Sequence, residues 1–349
     1  MQLRSTFLVA ACAAALTSSL AFAGLGSASG AVSSDVRVGS FNVVGVNNDA
    51  NASGDKKIWR ERRPKIVDQI LAQKLDVVGV QEANQSITYK SRLTYGDNQF
   101  MDLKGALNAK GGNYALTNQN AQNCVNPQST YNCVAKDQGA TGDNRIYFDN
   151  DTVSLVRQGG LTYQHYAAGR VKRYLAWAVL KMKATGKQFL FTNTHLDPYD
   201  ITARKQQWDE MIAKINSLKG SLPVVSVGDF NTSKFSDYAD TYLPRMRSNG
   251  YGDVVNQKYR ETLLSAPRAV SVRRAWVNSF SGWNRNVAAY GYEEGTREKI
   301  GNGIDWVFAS NNVPVKAWEV VIDVDPTTLR LRGVIPSDHA LVRATLTLP

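Results

Sequence analysis

The sequence predicts a layered α/β fold, and three observations lead there. Short β-branched, apolar runs alternate with helical stretches from one end of the chain to the other. No internal repeat, low-complexity linker or charge block divides them. Behind a short leader, more than 300 of the 349 residues remain, enough to bury a large core. Many strands with interspersed helices bury their apolar faces when sheets pack between helices.

The first residues read as an address. Arg4 precedes an apolar run from Phe7 to Leu16, and Ala21-Phe22-Ala23 fits the A-x-A cleavage pattern. The run falls short of the ~20 apolar residues that span a bilayer. A buried N-terminal helix is the alternative, but Gly24 to Ser34 is small, polar and patternless. Residues 1–23 are therefore expected to be a secretory signal peptide, cut between 23 and 30, and residues 36–349 one catalytic domain of an exported, soluble chain.

Elements follow in order. Val36–Val44 reads as a strand. Trp59–Lys74 places Trp59, Ile66, Val67, Ile70 and Leu71 on one helical stripe, with Pro64 tolerated near the first turn. Asp76–Gln81 is a short apolar strand, followed by a polar region that carries two cysteines. Strands are expected at Arg145–Phe148, Thr152–Arg157, Tyr174–Met182 and Gln188–Thr194. A helix at Ile201–Leu218 and a buried strand at Pro223–Gly228 come next. The last third offers strands near Ala275–Phe280, Gly303–Ala309, Ala317–Ile322 and His339–Leu348.

Polar residues cluster where these strands end. Ser40-Phe41-Asn42, Gln81-Glu82, Asn193-Thr194-His195-Leu196 and Gly228-Asp229-Phe230-Asn231 close four of them. Ile304-Asp305-Trp306 lies in a later strand, and Ser337-Asp338-His339 opens the last. Singly, each has an ordinary explanation as a turn former or a solvated loop charge. Jointly they say more, because two of the three histidines left after the leader fall inside these clusters. In an extended segment, moreover, Asp229 and Asn231 would share one face.

Such a set suits attack on a phosphate ester. The substrate is an anion, so a hard Mg²⁺ or Mn²⁺ ion with carboxylate ligands is needed to offset charge, and Ca²⁺ can serve as a supporting ion. A histidine paired with a carboxylate can activate water, and amide or histidine donors can steady the oxyanion. No H-E-x-x-H or Cys–His cluster points to a zinc protease, and no G-x-S-x-G to a serine esterase.

In this order the six motifs resemble the endonuclease/exonuclease/phosphatase superfamily, the group of deoxyribonuclease I-like enzymes, from Val36 to Leu348. The resemblance implies a four-layer sandwich, two mixed sheets packed face to face with helices outside. It implies a metal pole at Asn42 and Glu82, with Glu82 the principal ligand, and Asp338 matches a second metal-pole or histidine-supporting acid. His195 matches the histidine that donates to phosphate or leaving oxygen. Asp229 and Asn231 match the pair that orients the nucleophile and holds the phosphate or a metal, Asp305 the carboxylate behind the last histidine, and His339 the general base. Where many members carry an acidic residue or asparagine to support the first histidine, this chain has Asn144. Arg173 is a candidate phosphate contact, and His165 lies outside every motif.

The net charge of +11, almost unchanged by loss of Arg4, fits a polyanionic partner, although a solvated cationic surface would give the same number. Nucleic acid, DNA or RNA, is the expected substrate of a monomeric nuclease with no stable membrane association. The mixture of Arg273, Arg274 and Arg285 with Trp276, Trp283, Tyr290 and Tyr292 would suit base stacking beside phosphate contacts, or else a core strand with a basic loop. A sphingomyelinase should show an apolar wedge, which is absent. A phosphomonoesterase uses the same metal pole, and a non-catalytic polyanion binder would have no need of the acids.

Without Cys12, only Cys124 and Cys133 remain, and an even pair in an oxidising compartment reads as one disulfide closing a short loop. Their C-x8-C spacing without neighbouring His argues against zinc. Thiol titration of the denatured, unreduced mature chain should therefore find no free thiol; two free thiols would remove the bridge.

Overall fold

The computed structural model describes residues 33–119, 141–234, 237–255, 269–287 and 303–349. The leader, Cys124 and Cys133 lie outside the described residues. The strands are β1 (Asp35–Asn42), β2 (Val77–Gln81), β3 (Tyr114–Leu116), β4 (Arg145–Asp149), β5 (Val153–Thr162), β6 (Tyr174–Met182) and β7 (Gln188–His195). They continue as β8 (Val224–Asp229), β9 (Tyr251–Asp253), β10 (Ala269–Arg273), β11 (Asp305–Ser310), β12 (Val315–Val321) and β13 (Leu341–Thr347). Helices are α1 (Trp59–Ala72), α2 (Gln99–Ala109), α3 (Ile201–Lys219) and α4 (Asp237–Ser248).

The strands form two mixed sheets. One has seven strands in the order β10-β12-β13-β1-β2-β4-β3, and the other six in the order β5-β6-β7-β8-β11-β9. Side-chain alternation shows how the layers stack. In β2, Val77 joins the apolar layer shared with Phe191, Val225, Val227 and Val307 of the second sheet. Val78 and Val80 face the other way, onto Trp59, Ile66, Ile70, Phe100 and Leu103 of α1 and α2. The second sheet repeats the pattern outward, with Leu190, Trp306 and Phe308 on Trp208 and Met211 of α3. Both faces of the central strands are thus dry, which is why they read as unbroken apolar runs. The expected four-layer sandwich is what forms.

The sheets touch near the ends that carry the polar motifs. Gly79 points into the shared layer, and a Cβ there would sit 2.5 Å from Val227 Cγ2 and 2.8 Å from Asn193 Cγ. Asn193 reaches from β7 across the gap, its Nδ2 donating to the carbonyls of Val80 and Arg145, both at 2.9 Å. Gln81 Nε2 returns a bond to Asn193 Oδ1 at 2.6 Å.

Some elements depart from expectation. Helix α2 arises in a stretch read as merely polar, started by Asn98, whose side chain accepts from Met101 N; helix α4 was also not foreseen. Pro64 falls in the second turn of α1, where it cannot pair the carbonyl of Arg60, a residue exposed to water. Residues 275–280 are not a strand. Arg274 takes φ +54°, which ends the extended path, and Ser279 and Phe280 turn back to pair with Ala340 and His339.

Gly79→Ala should cost about 1–3 kcal/mol, as expected for overpacking a dry layer, read as a lower urea midpoint with circular dichroism. An unchanged midpoint would mean that the sheets have slack there.

Candidate active site

Sheet register sets the site in one row. Across the second sheet Tyr174 pairs with His195, His195 with Asp229, and Asp229 with Asp305, so the functional ends of β7, β8 and β11 are direct neighbours. In the facing sheet Asn42 pairs with Gln81, and Glu82 follows immediately. Strand ends of a layered scaffold present such rows to a cleft. Here the cleft is a cavity of about 340 Å³, lined by Glu82, Arg173, His195, Asp229, Asn231, Asp338 and His339 among others.

Asp229 lies at its centre, almost wholly buried. Its Oδ2 accepts from Asn42 Nδ2 at 3.1 Å and stands 3.5 Å from Nε2 of both His195 and His339. Its Oδ1 accepts from the backbone N–H of Asn231 at 2.9 Å. Burial, with Asp305 adding to it and His339 opposing it, pushes the Asp229 carboxyl up to about 7. Asn231 does reach the same cavity, but not by strand alternation. β8 ends at Asp229, Asn231 adopts φ +47°, and its Nδ2 donates to Leu196 O at 2.9 Å. A turn, not a pleat, brings the two together.

His339 and Asp305 form a buried pair, Nδ1 to Oδ2 at 2.9 Å. Burial alone would discharge the ring, but Asp305 and then Asp229 outweigh it and push His339 up to about 10. The resting imidazole is therefore held charged, with the ring of Phe280 4.9 Å away. His195 goes the other way. Burial, Arg173 and charged His339 hold it well below the usual histidine range, so it is neutral. Two histidines facing one carboxylate thus carry different charges.

Glu82 and Asp338 face the same cavity on its other side. Glu82 takes φ +59°, an uncommon backbone region for a non-glycine residue, directly after β2. Its Oε1 accepts from Asn42 Nδ2 at 3.0 Å and its Oε2 from Gly45 N at 3.3 Å. Burial raises the Asp338 carboxyl; His339 opposes this, while the negative charge of Glu82 adds to it. Two carboxylates that repel across a polar cavity suit a hard divalent cation. Asp229, Asp305 and His339 also lie close enough to share an ion. His339 already occupies one oxygen of Asp305 and faces Asp229, whereas Glu82 and Asp338 have no histidine between them, so the better fit is Glu82 with Asp338, backed by Asn42.

The sequence model of the endonuclease/exonuclease/phosphatase family matches residues 46–339. The chain belongs to the endonuclease/exonuclease/phosphatase family. Members of the family are phosphoric-ester hydrolases that generally depend on a divalent metal. No curated protein matches the sequence. Among solved structures it resembles an endonuclease/exonuclease/phosphatase family protein of Bacteroides thetaiotaomicron, with 20% identity, coverage of 89% of this chain and 97% of that one, and a TM-score of 0.62. It also resembles a mannosyl-6-phosphatase of the same organism, at 20% identity, 89% and 99% coverage and a TM-score of 0.61. D. rerio TDP2 complexed with single-strand DNA product follows at 14% identity, 89% and 98% coverage and a TM-score of 0.52. At these identities the likeness is one of fold.

Other residues of this family member fall at the margin or behind the site. Asn144 does not touch His195; its Nδ2 donates to Tyr174 O at 2.7 Å, on the residue paired with His195 in the sheet. Asp143, rather than Asn144, lines the central cavity. Arg173 lines it too, and its Nε is buried without a hydrogen-bond partner among the described residues. His165 pairs with Glu210 at 2.7 Å, away from the site.

Arg62 went unnoticed in the sequence. It donates to the carbonyls of Val43, Val44, Lys57 and Pro336 at 2.7–3.2 Å. One buried cation thereby ties the loop after Asn42 to the segment before Asp338, between the rings of Trp59 and Trp283. The signal was present: position 62 lies on the apolar stripe of α1, four residues before Ile66.

Ring-proton NMR of metal-free protein should show His339 still protonated above pH 8 and His195 neutral well below its ordinary midpoint near 6.5. A His339 midpoint near 6.5 would return it to the neutral proton acceptors.

Proposed function

We propose that this chain is a secreted, divalent-metal-dependent phosphodiesterase that hydrolyses nucleic acid, DNA or RNA, by in-line attack of water. The observation that carries it is the single cavity lined by Glu82, Asp338, Asp229, Asn231, His195 and His339, with Asn42 and Asp305 hydrogen-bonded behind them. Glu82 and Asp338, with Asn42 behind them, would hold Mg²⁺ or Mn²⁺, which when bound neutralises phosphate charge and polarises the P–O bonds. Ca²⁺ is a possible supporting ion at the same oxygen donors.

The protein's own groups divide the remaining work. His339, charged at rest and fixed by Asp305, donates to a non-bridging phosphate oxygen. Without metal, Asp305 and Asp229 favour the charged form of His339, which suits a donor better than the general base that the sequence suggested. Asp229 is better matched, because its carboxyl is pushed up to about 7 and its Oδ1 is anchored by Asn231. Neutral His195 stands beside the leaving side as a donor, and Arg173 adds charge at the cavity mouth. The leader motif supports export. The basic net charge of +11 supports a polyanion over a small ester, since each neutralised phosphate adds affinity.

A phosphomonoesterase is the competing reading, favoured by the likeness to a mannosyl-6-phosphatase. Hydrolysis of plasmid, single-stranded DNA, RNA and sugar phosphates, with Mg²⁺ and with chelator, separates the two. DNA or RNA should be cut only with metal, and Glu82→Gln should lower the rate by at least ~10²-fold while leaving the melting temperature nearly unchanged. Full activity in Glu82→Gln at saturating metal would remove Glu82 from the metal pole. Turnover of sugar phosphates alone would replace the nuclease reading.

A further inference from the structure

Several surface cations of this protein are held by carboxylates, while others among the described residues stand alone. Lys90 meets Asp97, Arg245 meets Asp209, Lys316 meets Asp35, Arg285 meets Asp55 and Arg332 meets Asp325. The loop between β5 and β6 is different. It reads Gly169-Arg170-Val171-Lys172-Arg173, and among the described residues no acidic side chain lies within ion-pair distance of its three cations. Three like charges within four residues repel one another; Asp143 and Asp197 act on Arg173 through space, while Arg170 and Lys172 have no carboxylate within ion-pair distance among the described residues.

The position of this loop gives the charges a use. The catalytic cavity adjoins a second one of about 340 Å³, and the two share Glu82, Asp143, Arg173 and His195. Arg173 therefore stands at the junction. Lys172 lines the second cavity with Asn144. Arg170 lies on the opposite side, 4.3 Å from the ring of Tyr199, an exposed aromatic that lines the catalytic cavity. Glu82 and Asp143 share that part with Arg173 and are half-buried, while Lys172 and Arg170 are exposed.

We infer that the loop Arg170–Arg173 is a backbone clamp for a polynucleotide, with Arg173 at the phosphate being cut and Lys172 and Arg170 at the phosphates on either side. Four extended residues reach at most about 14 Å, a few nucleotide steps at the ~3.4 Å rise per strand. A sugar monophosphate would engage the catalytic cavity and leave Lys172 and Arg170 without a partner. Tyr199, pinned under Arg170, presents a face on which a base beside the cut can stack.

The inference rests on the nuclease reading, and counterion release tests it separately. Binding of a fluorescent single-stranded oligodeoxynucleotide to His339→Ala protein is followed by anisotropy between about 50 and 200 mM salt. Adding Arg170→Gln and Lys172→Gln should flatten the slope of log K against log salt by about 1.4, at ~0.7 per single-strand phosphate contact. Lys74→Gln, an exposed cation at the far end of β2, should leave the slope unchanged. An unchanged slope in the loop variant, with the oligonucleotide still cut by the unaltered chain, overturns the clamp alone. If the unaltered chain turns over sugar phosphates but neither binds nor cuts the oligonucleotide, the nuclease reading falls and the clamp with it.

Discussion

Everything at the active site depends on how closely two sheets approach at one end. Asn193 carries that constraint, because its amide hydrogen-bonds two carbonyls of the opposite sheet while Gln81 returns a bond to it. Those groups are buried, so each would be costly without its partner. Gly79 leaves the space for the contact, and the turns after β2 and β8 then face one another. Glu82 and Asp229 come from different sheets, yet both accept from the same Asn42 amide, at 3.0 and 3.1 Å. An extra methyl group at position 79 would act on the distance between them as well as on stability.

The second organising feature is charge balance without water. Asp229, Asp305 and His339 form a buried acid–imidazole–acid arrangement in which the ring is charged because two carboxylates flank it. The opposite side of the cavity is more weakly balanced: Glu82 and Asp338 repel, and Arg62, hydrogen-bonded to backbone carbonyls, offsets them only through space. One side is held together by its own imidazole, and the other is suited to a cation. Under the proposed function, that asymmetry would orient a phosphate between a metal at Glu82 and Asp338 and the ring of His339.

The rim adds a third level. Arg173 belongs to the cavity, while Lys172 and Arg170 lie along the same loop on either side of it. Phe280 and Tyr199, both exposed, line the catalytic cavity. Rigid strand ends thus carry the chemistry and an adjacent loop carries the charge, a division that lets the substrate contacts vary without disturbing the reacting groups.

Much of this was legible in the amino-acid sequence. Period-two and apolar runs placed β6 correctly and β1, β2, β7 and β8 to within about two residues, because both faces of these strands are buried and their composition reflects it. The polar motifs at their ends named Glu82, His195, Asp229, Asp305 and His339, whose residue types and order are local facts. What the sequence could not contain was distance and field. Whether His339 is charged depends on two carboxylates that lie 34 and 110 positions away in the chain. Arg62 resembled an ordinary helix residue until the carbonyls around it were in place. Asn231 reached the cavity by a turn that strand periodicity does not describe. The sequence by itself determined which groups are present and in what order; only the tertiary structure decided their protonation and partners, because burial and Coulomb interaction act through space between residues that the chain keeps far apart.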